Sequence, residues 1–385
     1  MLKTVIACGG TGGHIMPALA MADMIKANFS GARIMFVGTE QGMENALVTA
    51  AGYPIKTFRV LGLPRKVSLR AVHALYLAQR ALREAKSFLK EWQPHIVIGT
   101  GGYACYPTLR AAAELRIPTA VHESNAVPGL AVRLLSDRVD RVWLNFAEAG
   151  GYFKDQNRLL TVGNPLRGIM EGNGEKRPLP HGCKQMVLSF GGSLGAERIN
   201  AAVLEMMRWE REHPEIYHLH ATGKHGYEEF MKNFSAAGLQ GEKHLEVRAF
   251  IADMPRQMAA SDVTVCRAGA MSISELAAYG KAAILIPSPN VTGNHQYINA
   301  KALADKNAAC LLRESELTGE ELVRQISRLL QDHEARRTMS ENIRCFSRPD
   351  AGRLIYEDMR YLLKPQITDQ KRQSPIILSR IVLFF

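Results

Sequence analysis

The strongest constraint on the fold is a pattern that occurs twice. Thr4-Val5-Ile6-Ala7-Cys8 runs into Gly9-Gly10-Thr11-Gly12-Gly13 and then a helical stretch, and Met186-Val187-Leu188-Ser189-Phe190 runs into Gly191-Gly192-Ser193-Leu194-Gly195 and another. A short, continuously apolar run of this kind reads as a strand buried on both faces, the condition of a parallel sheet covered by helices. Short strands and helices alternate around each copy. In the first half, strands are predicted at Thr4–Cys8, Arg33–Val37, Ile55–Arg59, Ile96–Gly99, Thr119–His122, Arg141–Leu144 and Leu159–Val162, with helices such as Met16–Asn28 and Leu69–Glu91. Gly163-Asn164-Pro165 ends this series, and the stretch Gly172 to Pro180, rich in glycine, proline and mixed charge, reads as a linker or interdomain surface. The series restarts near Gln185–Phe190, Tyr217–Ala221, Leu245–Ala249, Val263–Cys266, Ala283–Ile286 and Ala309–Leu312, and helices at about Gly319–Leu330, Glu334–Cys345 and Ala351–Leu363 follow. The economical reading is an α/β protein of two doubly wound parallel-sheet domains facing a cleft.

Composition fits this reading. At 385 residues the chain has length for two domains, and 46% hydrophobic with 22% charged residues excludes global disorder. Six scattered cysteines with no CxxC pair argue against a zinc site or a disulfide framework and suit a reducing compartment. Lys3 is followed by only four apolar residues before the glycines, so no targeting signal is expected, and no run reaches the roughly 20 apolar residues of a spanning helix. The net charge of +11 leaves an acidic partner open: nucleic acid, anionic lipid or a phosphorylated substrate. Only 7% of residues are aromatic and no basic-aromatic stripe occurs, so nucleic acid ranks last.

Four segments are candidates for chemistry. Gly9 to His14 lies where a doubly wound domain places its ligand, at the carboxyl end of its first strand. It matches neither dinucleotide nor phosphate-loop spacing, since Ile15 stands where the dinucleotide motif needs its last glycine. A tight turn with no ligand is the alternative. Gly191-Gly192-Ser193 adds a hydroxyl beside exposed N–H groups, which suits a pyrophosphate. Cys266 to Glu275 combines a strand end, small residues and a helix start. There Ser272 and Glu275 have capping-box spacing, or Glu275 instead accepts two ribose hydroxyls. Asn290 to Asn299, with clustered amides and His295, suits a polyhydroxylated ring, or is a polar loop with Asn294 as N-cap.

In order along the chain, Gly9-Gly10-Thr11-Gly12-Gly13-His14, Gly101-Gly102-Tyr103, His122-Glu123-x-Asn125, Gly163-Asn164-Pro165-x-Arg167, Gly191-Gly192-Ser193-x-Gly195-Ala196, Cys266-Arg267-x-Gly269-Ala270-x-Ser272-x-x-Glu275 and the segment His295-Gln296 with Asn299 resemble the MurG family. These are the undecaprenyl-diphospho-muramoylpentapeptide β-N-acetylglucosaminyltransferases of bacterial cell-wall synthesis. The resemblance spans roughly residues 3 to 363 and departs at Ser124, where many members carry glutamine, and at His295, where some carry a second glutamine. It implies a GT-B architecture of two Rossmann-like domains. Residues 1–164 would form the acceptor and membrane side, 165–345 the UDP-GlcNAc domain, and 346–364 a helix returning to the first domain, leaving 365–385 as a tail. It also implies inverting transfer of GlcNAc from UDP-GlcNAc to the 4-hydroxyl of muramoyl-pentapeptide on diphospho-undecaprenol, converting lipid I to lipid II. By motif match, Arg167, Ser193 and Ser272 would face the donor diphosphate, Glu275 the ribose and Ile251 the uracil, with Ala270 and Met271 also among the donor-binding residues. Gln296 and Asn125 would hold the GlcNAc, with His295 and Asn299 as further sugar contacts. Thr11, Gly12 and Gly13, grouped with the donor set, would lie near the reaction centre and the acceptor diphosphate.

No Asp-x-Asp motif stands beside the nucleotide segments, so no metal and no cofactor is expected, and fixed helix ends, hydroxyls and Arg167 take the metal's place. His14 is the candidate general base, Glu123 the alternative. Leu69, Arg70, Val72, Leu75, Tyr76 and Leu77, near Arg65, Lys66, Arg80 and Arg83, form a helix whose apolar set faces the core or an anionic leaflet. The tail, ending Ile381 to Phe385, reads as an interfacial anchor or a segment folded back. The expected setting is peripheral, on the cytoplasmic face of the membrane, with lipid I and other cell-wall synthesis proteins as partners. Competing readings are a UDP-GlcNAc 2-epimerase, a transferase with a soluble acceptor, a nicotinamide-dependent dehydrogenase and a non-catalytic nucleotide-sugar scaffold.

Overall fold

Among the described residues, every strand pairs in parallel with its neighbours. The computed structural model describes residues 1–62, 69–167, 179–192 and 195–373, with the backbone alone at 69–70, 181, 292 and 365–373. Most of the expected linker, Ser193, Arg65, Lys66 and the apolar end of the tail lie outside the described residues.

The first sheet has seven strands, β1 (Lys3–Ala7), β2 (Arg33–Thr39), β3 (Ile55–Phe58), β4 (Ile96–Gly99), β5 (Thr119–Glu123), β6 (Arg141–Leu144) and β7 (Leu159–Thr161), in the order β3-β2-β1-β4-β5-β6-β7. The helices α1 (Gly12–Asn28), α2 (Glu44–Ala50), α3 (Leu69–Trp92), α4 (Cys105–Glu114) and α5 (Leu130–Leu135) connect them. The central strands β4 and β5 are buried along their whole length, because helices cover both faces of a parallel sheet.

The second sheet has six strands, β8 (Gln185–Phe190), β9 (Ile216–Ala221), β10 (Leu245–Arg248), β11 (Val263–Cys266), β12 (Ala282–Leu285) and β13 (Cys310–Leu311), in the order β10-β9-β8-β11-β12-β13. Its helices are α6 (Glu197–Glu210), α7 (Tyr227–Ala236), α8 (Met254–Ala260), α9 (Ala270–Tyr279), α10 (His295–Ala304), α11 (Gly319–Gln331) and α12 (His333–Arg344). Both sheets reverse direction beside their first strand, between β1 and β4 and between β8 and β11. An open α/β sheet forms its ligand crevice at this switch point, beyond the carboxyl ends of the strands. The registers set those ends level: Ala7 pairs with Gly99, and Phe190 with Cys266.

By contacts, the first unit comprises Met1–Ser124, Pro128–Pro165 and the chain from Asp350, and the second comprises Asn125–Val127 and Leu166–Pro349. The last helix, α13 (Ala351–Gln373), therefore belongs to the first unit, where Ile355, Met359 and Leu363 bury against Ile6, Ile98 and Trp143. Its Asp358 accepts hydrogen bonds from Trp143 Nε1 (2.8 Å) and Arg141 Nε (3.1 Å). A fully buried indole N–H needs such an acceptor.

Candidate active site

In the second unit, β8 ends at Phe190 and the chain turns through Gly192 (φ +91°) and Gly195 (φ +81°) before α6 begins. A Cβ on Gly195 would lie 2.2 Å from the Thr222 carbonyl oxygen, so only glycine lets the β9–α7 loop approach the turn this closely. The adjacent strand β11 ends at Cys266 and feeds α9, whose N-cap is Gly269. The N-cap residues themselves, Ala196 for α6 and Gly269 for α9, bring no capping side chain. Two helix N-termini, each with N–H groups lacking an intrahelical acceptor and each at a positive dipole end, thus open from neighbouring strands. That arrangement suits an anion with two phosphates.

The capping-box reading of Ser272 does not hold. The helix starts at Ala270, which places Ser272 at its third residue and leaves the hydroxyl unspent on capping. Ala270 and Met271 are buried. Glu275 lies one turn further along and makes no hydrogen bond or ion pair among the described residues, and burial pushes its carboxyl up to about 7. A carboxylate without a donor among the described residues keeps its acceptor capacity for hydroxyl groups. Arg267 is committed elsewhere: it pairs with Glu314 and donates to the Ile286 carbonyl. Arg167 is partly buried and opens the second unit after Leu166.

The Ile251 side chain is buried, so a base there would meet its backbone. Asn294 occupies the N-cap position of α10 in the left-handed region (φ +52°) but makes no side-chain cap bond. His295 and Gln296 are partly buried, and Gln296 Oε1 accepts from the Ser288 N–H (2.8 Å). Asn299 is fully buried and its amide is spent: it accepts from Ala126 N–H (3.2 Å) and donates towards Asn125 Oδ1 (3.4 Å) and the Ala268 carbonyl (3.3 Å). Asn299 therefore ties Asn125–Val127 and the β11–α9 turn into the second unit rather than reaching outward, which corrects its expectation as a sugar contact.

In the first unit, Gly10 takes φ +87° and α1 starts at Gly12, four residues before the predicted start, with exposed Thr11 as N-cap. His14 is partly buried in the first turn. Its Nδ1 lies 3.0 Å from the Gly9 carbonyl oxygen and 3.5 Å from Thr11 Oγ1. Facing a carbonyl, Nδ1 carries the proton of the neutral ring, and Nε2 keeps its lone pair. Gly101 packs against the imidazole so closely that a Cβ would fall 2.6 Å from Cδ2. Glu123 is buried and accepts the Gly129 N–H (2.9 Å) at the start of α5. His122 is structural: burial pushes it down to about 4, and Nε2 bonds the Gly163 carbonyl (2.9 Å).

One residue of this site was not expected from the sequence. Glu44, fully buried at the start of α2, accepts the Gly10 N–H with Oε2 (3.2 Å) and the Thr39 N–H and hydroxyl with Oε1 (2.7 Å each). Its signal in the sequence is a set of glycines: a Cβ on Gly9, Gly38 or Gly42 would lie 2.7, 2.6 or 2.0 Å from its side chain.

On α3, Ala74, Leu77, Ala81, Ala85 and Leu89 are buried in a helical stripe, whereas Val72, Leu75 and Tyr76 are 62%, 54% and 59% exposed. Leu77, grouped with these three from the sequence, belongs to the core. The side chains of Leu69 and Arg70 lie outside the described residues. No helix among the described residues is long and apolar enough to cross a membrane.

Comparison with known proteins places this geometry. The glycosyltransferase family 28 N-terminal domain matches residues 4–144 and the C-terminal domain of that family residues 186–353. A relative from Alkaliphilus oremlandii, named UDP-N-acetylglucosamine–N-acetylmuramyl-(pentapeptide) pyrophosphoryl-undecaprenol N-acetylglucosamine transferase, is 41% identical over 373 residues, covering 94% of this chain and 100% of its own. The crystal structure of Acinetobacter baumannii MurG superposes with a TM-score of 0.73 at 27% identity, covering 94% of this chain and 100% of that one. A UDP-N-acetylglucosamine 2-epimerase from Listeria monocytogenes shares the fold alone, with a TM-score of 0.66 at 13% identity over 94% of this chain and 97% of that one. With curated relatives matched over 94% of this chain at this identity, the chain belongs to the MurG family of glycosyltransferases.

Proposed function

We propose that this protein transfers GlcNAc from UDP-GlcNAc to the 4-hydroxyl of muramoyl-pentapeptide carried on diphospho-undecaprenol, with inversion at the anomeric carbon. The observation that carries the reading is the pair of helix starts with non-capping N-cap residues at the switch point of the second sheet, beside a Glu275 that makes no hydrogen bond among the described residues, in a chain whose relatives bear that activity in their names.

In this reading the donor diphosphate lies against the starts of α6 and α9, held by Arg167, Ser193, Ser272 and the amides near Ala270 and Met271. Glu275 accepts the ribose hydroxyls, the uracil meets the backbone at Ile251, and Gln296, His295 and Asn125 hold the GlcNAc. These fixed dipoles and the guanidinium take up the charge of the departing UDP without a divalent ion. Removing one such donor costs on the order of 3 kcal/mol of transition-state stabilisation. The first unit supplies the acceptor side: Thr11, Gly12 and Gly13 approach the acceptor diphosphate, and His14 Nε2 takes the proton of the attacking hydroxyl. The geometry favours His14 over Glu123, whose carboxylate already serves the α5 N-terminus. Val72, Leu75 and Tyr76 face an anionic leaflet on the cytoplasmic side, where the lipid acceptor is reached.

The test is transfer of radiolabelled GlcNAc from UDP-GlcNAc to a short-chain lipid-diphospho-muramoylpentapeptide in EDTA. Labelled disaccharide-lipid is expected without added metal. Product formed only after magnesium is restored would overturn the metal-free part, and conversion of UDP-GlcNAc alone to its 2-epimer would overturn the transferase reading.

A further inference from the structure

The Gly10 N–H held by Glu44 and the Gly9 carbonyl held by His14 are two ends of one peptide group. In a trans peptide these ends point in opposite directions, so Glu44 Oε2 grips the unit from one side at 3.2 Å and His14 Nδ1 from the other at 3.0 Å. A Gly-Gly peptide with Gly10 at φ +87° has little of its own to hold its plane, because glycine occupies both signs of φ with similar ease. Were this plane to flip, an N–H would face His14 Nδ1. The ring would then keep its lone pair on Nδ1 and its proton on Nε2, the nitrogen meant to act. The flip is opposed by a carboxylate that is itself immobile. Glu44 is fully buried, its second oxygen accepts two hydrogen bonds from Thr39, and Gly9, Gly38 and Gly42 leave it space no other residue would.

We propose that Glu44 is a positioning residue for catalysis. Through the Gly9–Gly10 peptide it holds His14 in the tautomer with the proton on Nδ1, leaving Nε2 free to take the proton of the acceptor hydroxyl. Glu44 touches neither substrate nor His14. Its negative charge also polarises the intervening amide, which strengthens the carbonyl as an acceptor and steadies the imidazolium once Nε2 is protonated. The proposal rests on the reading of His14 as general base.

The experiment uses the full chain labelled with 15N-histidine, the His14 ring signals being assigned by their loss in His14→Gln. Glu44→Gln keeps the shape, but with its oxygen on Thr39 it turns an amide N–H towards the Gly10 N–H, so the peptide is driven to flip. The expected result is a His14 ring that moves to the Nε2–H pattern and a kcat lower by about a hundredfold. The Kd for UDP-GlcNAc, measured calorimetrically, should stay within about twofold, because the donor residues lie in the second unit. An unchanged ring pattern overturns the positioning role. Equal losses of kcat and UDP-GlcNAc affinity overturn it as well, since they report a structural defect. A switched ring with unchanged kcat overturns instead the reading of His14 as base. Should Glu44→Gln not fold, Thr39→Val keeps the carboxylate and removes one of the bonds that anchor it. A mixed ring pattern with a partial loss of kcat is then expected, and a wild-type pattern overturns the proposal.

Discussion

Glu275 shows how a single residue reports the state of the site. Its carboxyl, raised to about 7 by burial, is largely neutral at pH 6 and largely ionised at pH 8. Two ribose hydroxyls donate best to the anion, and the diphosphate of UDP-GlcNAc does not titrate in this range. Affinity should therefore rise with pH and level off above about 7, with a loss of about tenfold at one unit below. Calorimetric titration of UDP-GlcNAc from pH 6 to pH 8 should show this slope, and Glu275→Gln should abolish it along with much of the affinity. A flat wild-type profile would remove Glu275 from the ribose. The candidate residues that lie within one motif, such as Ser272 and Glu275, were legible in the sequence because helix geometry fixes their spacing. Glu44 was not, since its partner Gly10 lies 34 positions away and only the fold joins them. Asn299 was read as a ligand contact for the same reason, its tether to Ala126 spanning 173 positions.

At the scale of elements, all the strands and their alternation with helices were readable, because strands of a covered parallel sheet are short apolar runs. The ends were less so. Strand β2 continues through Gly38 and Thr39, which pair with Thr57 and Phe58, although a glycine at 38 speaks against a strand. The start of α1 was hidden by Gly12 and Gly13, which are poor helix formers. The clasp of α13 is carried by Asp358, and its loss should leave the buried Trp143 indole unpaired and deprive Arg141 of its carboxylate, although Arg141 still donates to the Asp140 carbonyl. Asp358→Ala is expected to lower the unfolding free energy by about 2–3 kcal/mol, read from urea melts, while Asp358→Asn, which still accepts from the indole, should cost less. Equal small losses for both would show that apolar packing alone holds the helix.

At the scale of the molecule, recognition of family order along the chain gave the two-sheet architecture, but not the assignment of Asn125–Val127 to the second unit. No local composition marks that excursion. Exposed Val72, Leu75 and Tyr76 bear on how the whole protein meets a surface. Replacing all three by serine should weaken sedimentation with anionic vesicles at least about tenfold while leaving UDP-GlcNAc affinity intact. Vesicle binding unaltered by the triple change would assign membrane contact to another part of the chain. The placement of α13 also bears on biosynthesis. The hydrophobic face bounded by Ile6, Ile98 and Trp143 is made early and its cover arrives last, after every residue of the second sheet has left the ribosome. The N-terminal half must therefore wait on the tunnel with its seam open, and premature termination anywhere before Asp350 releases a chain bearing a sticky wound that quality-control proteases can find.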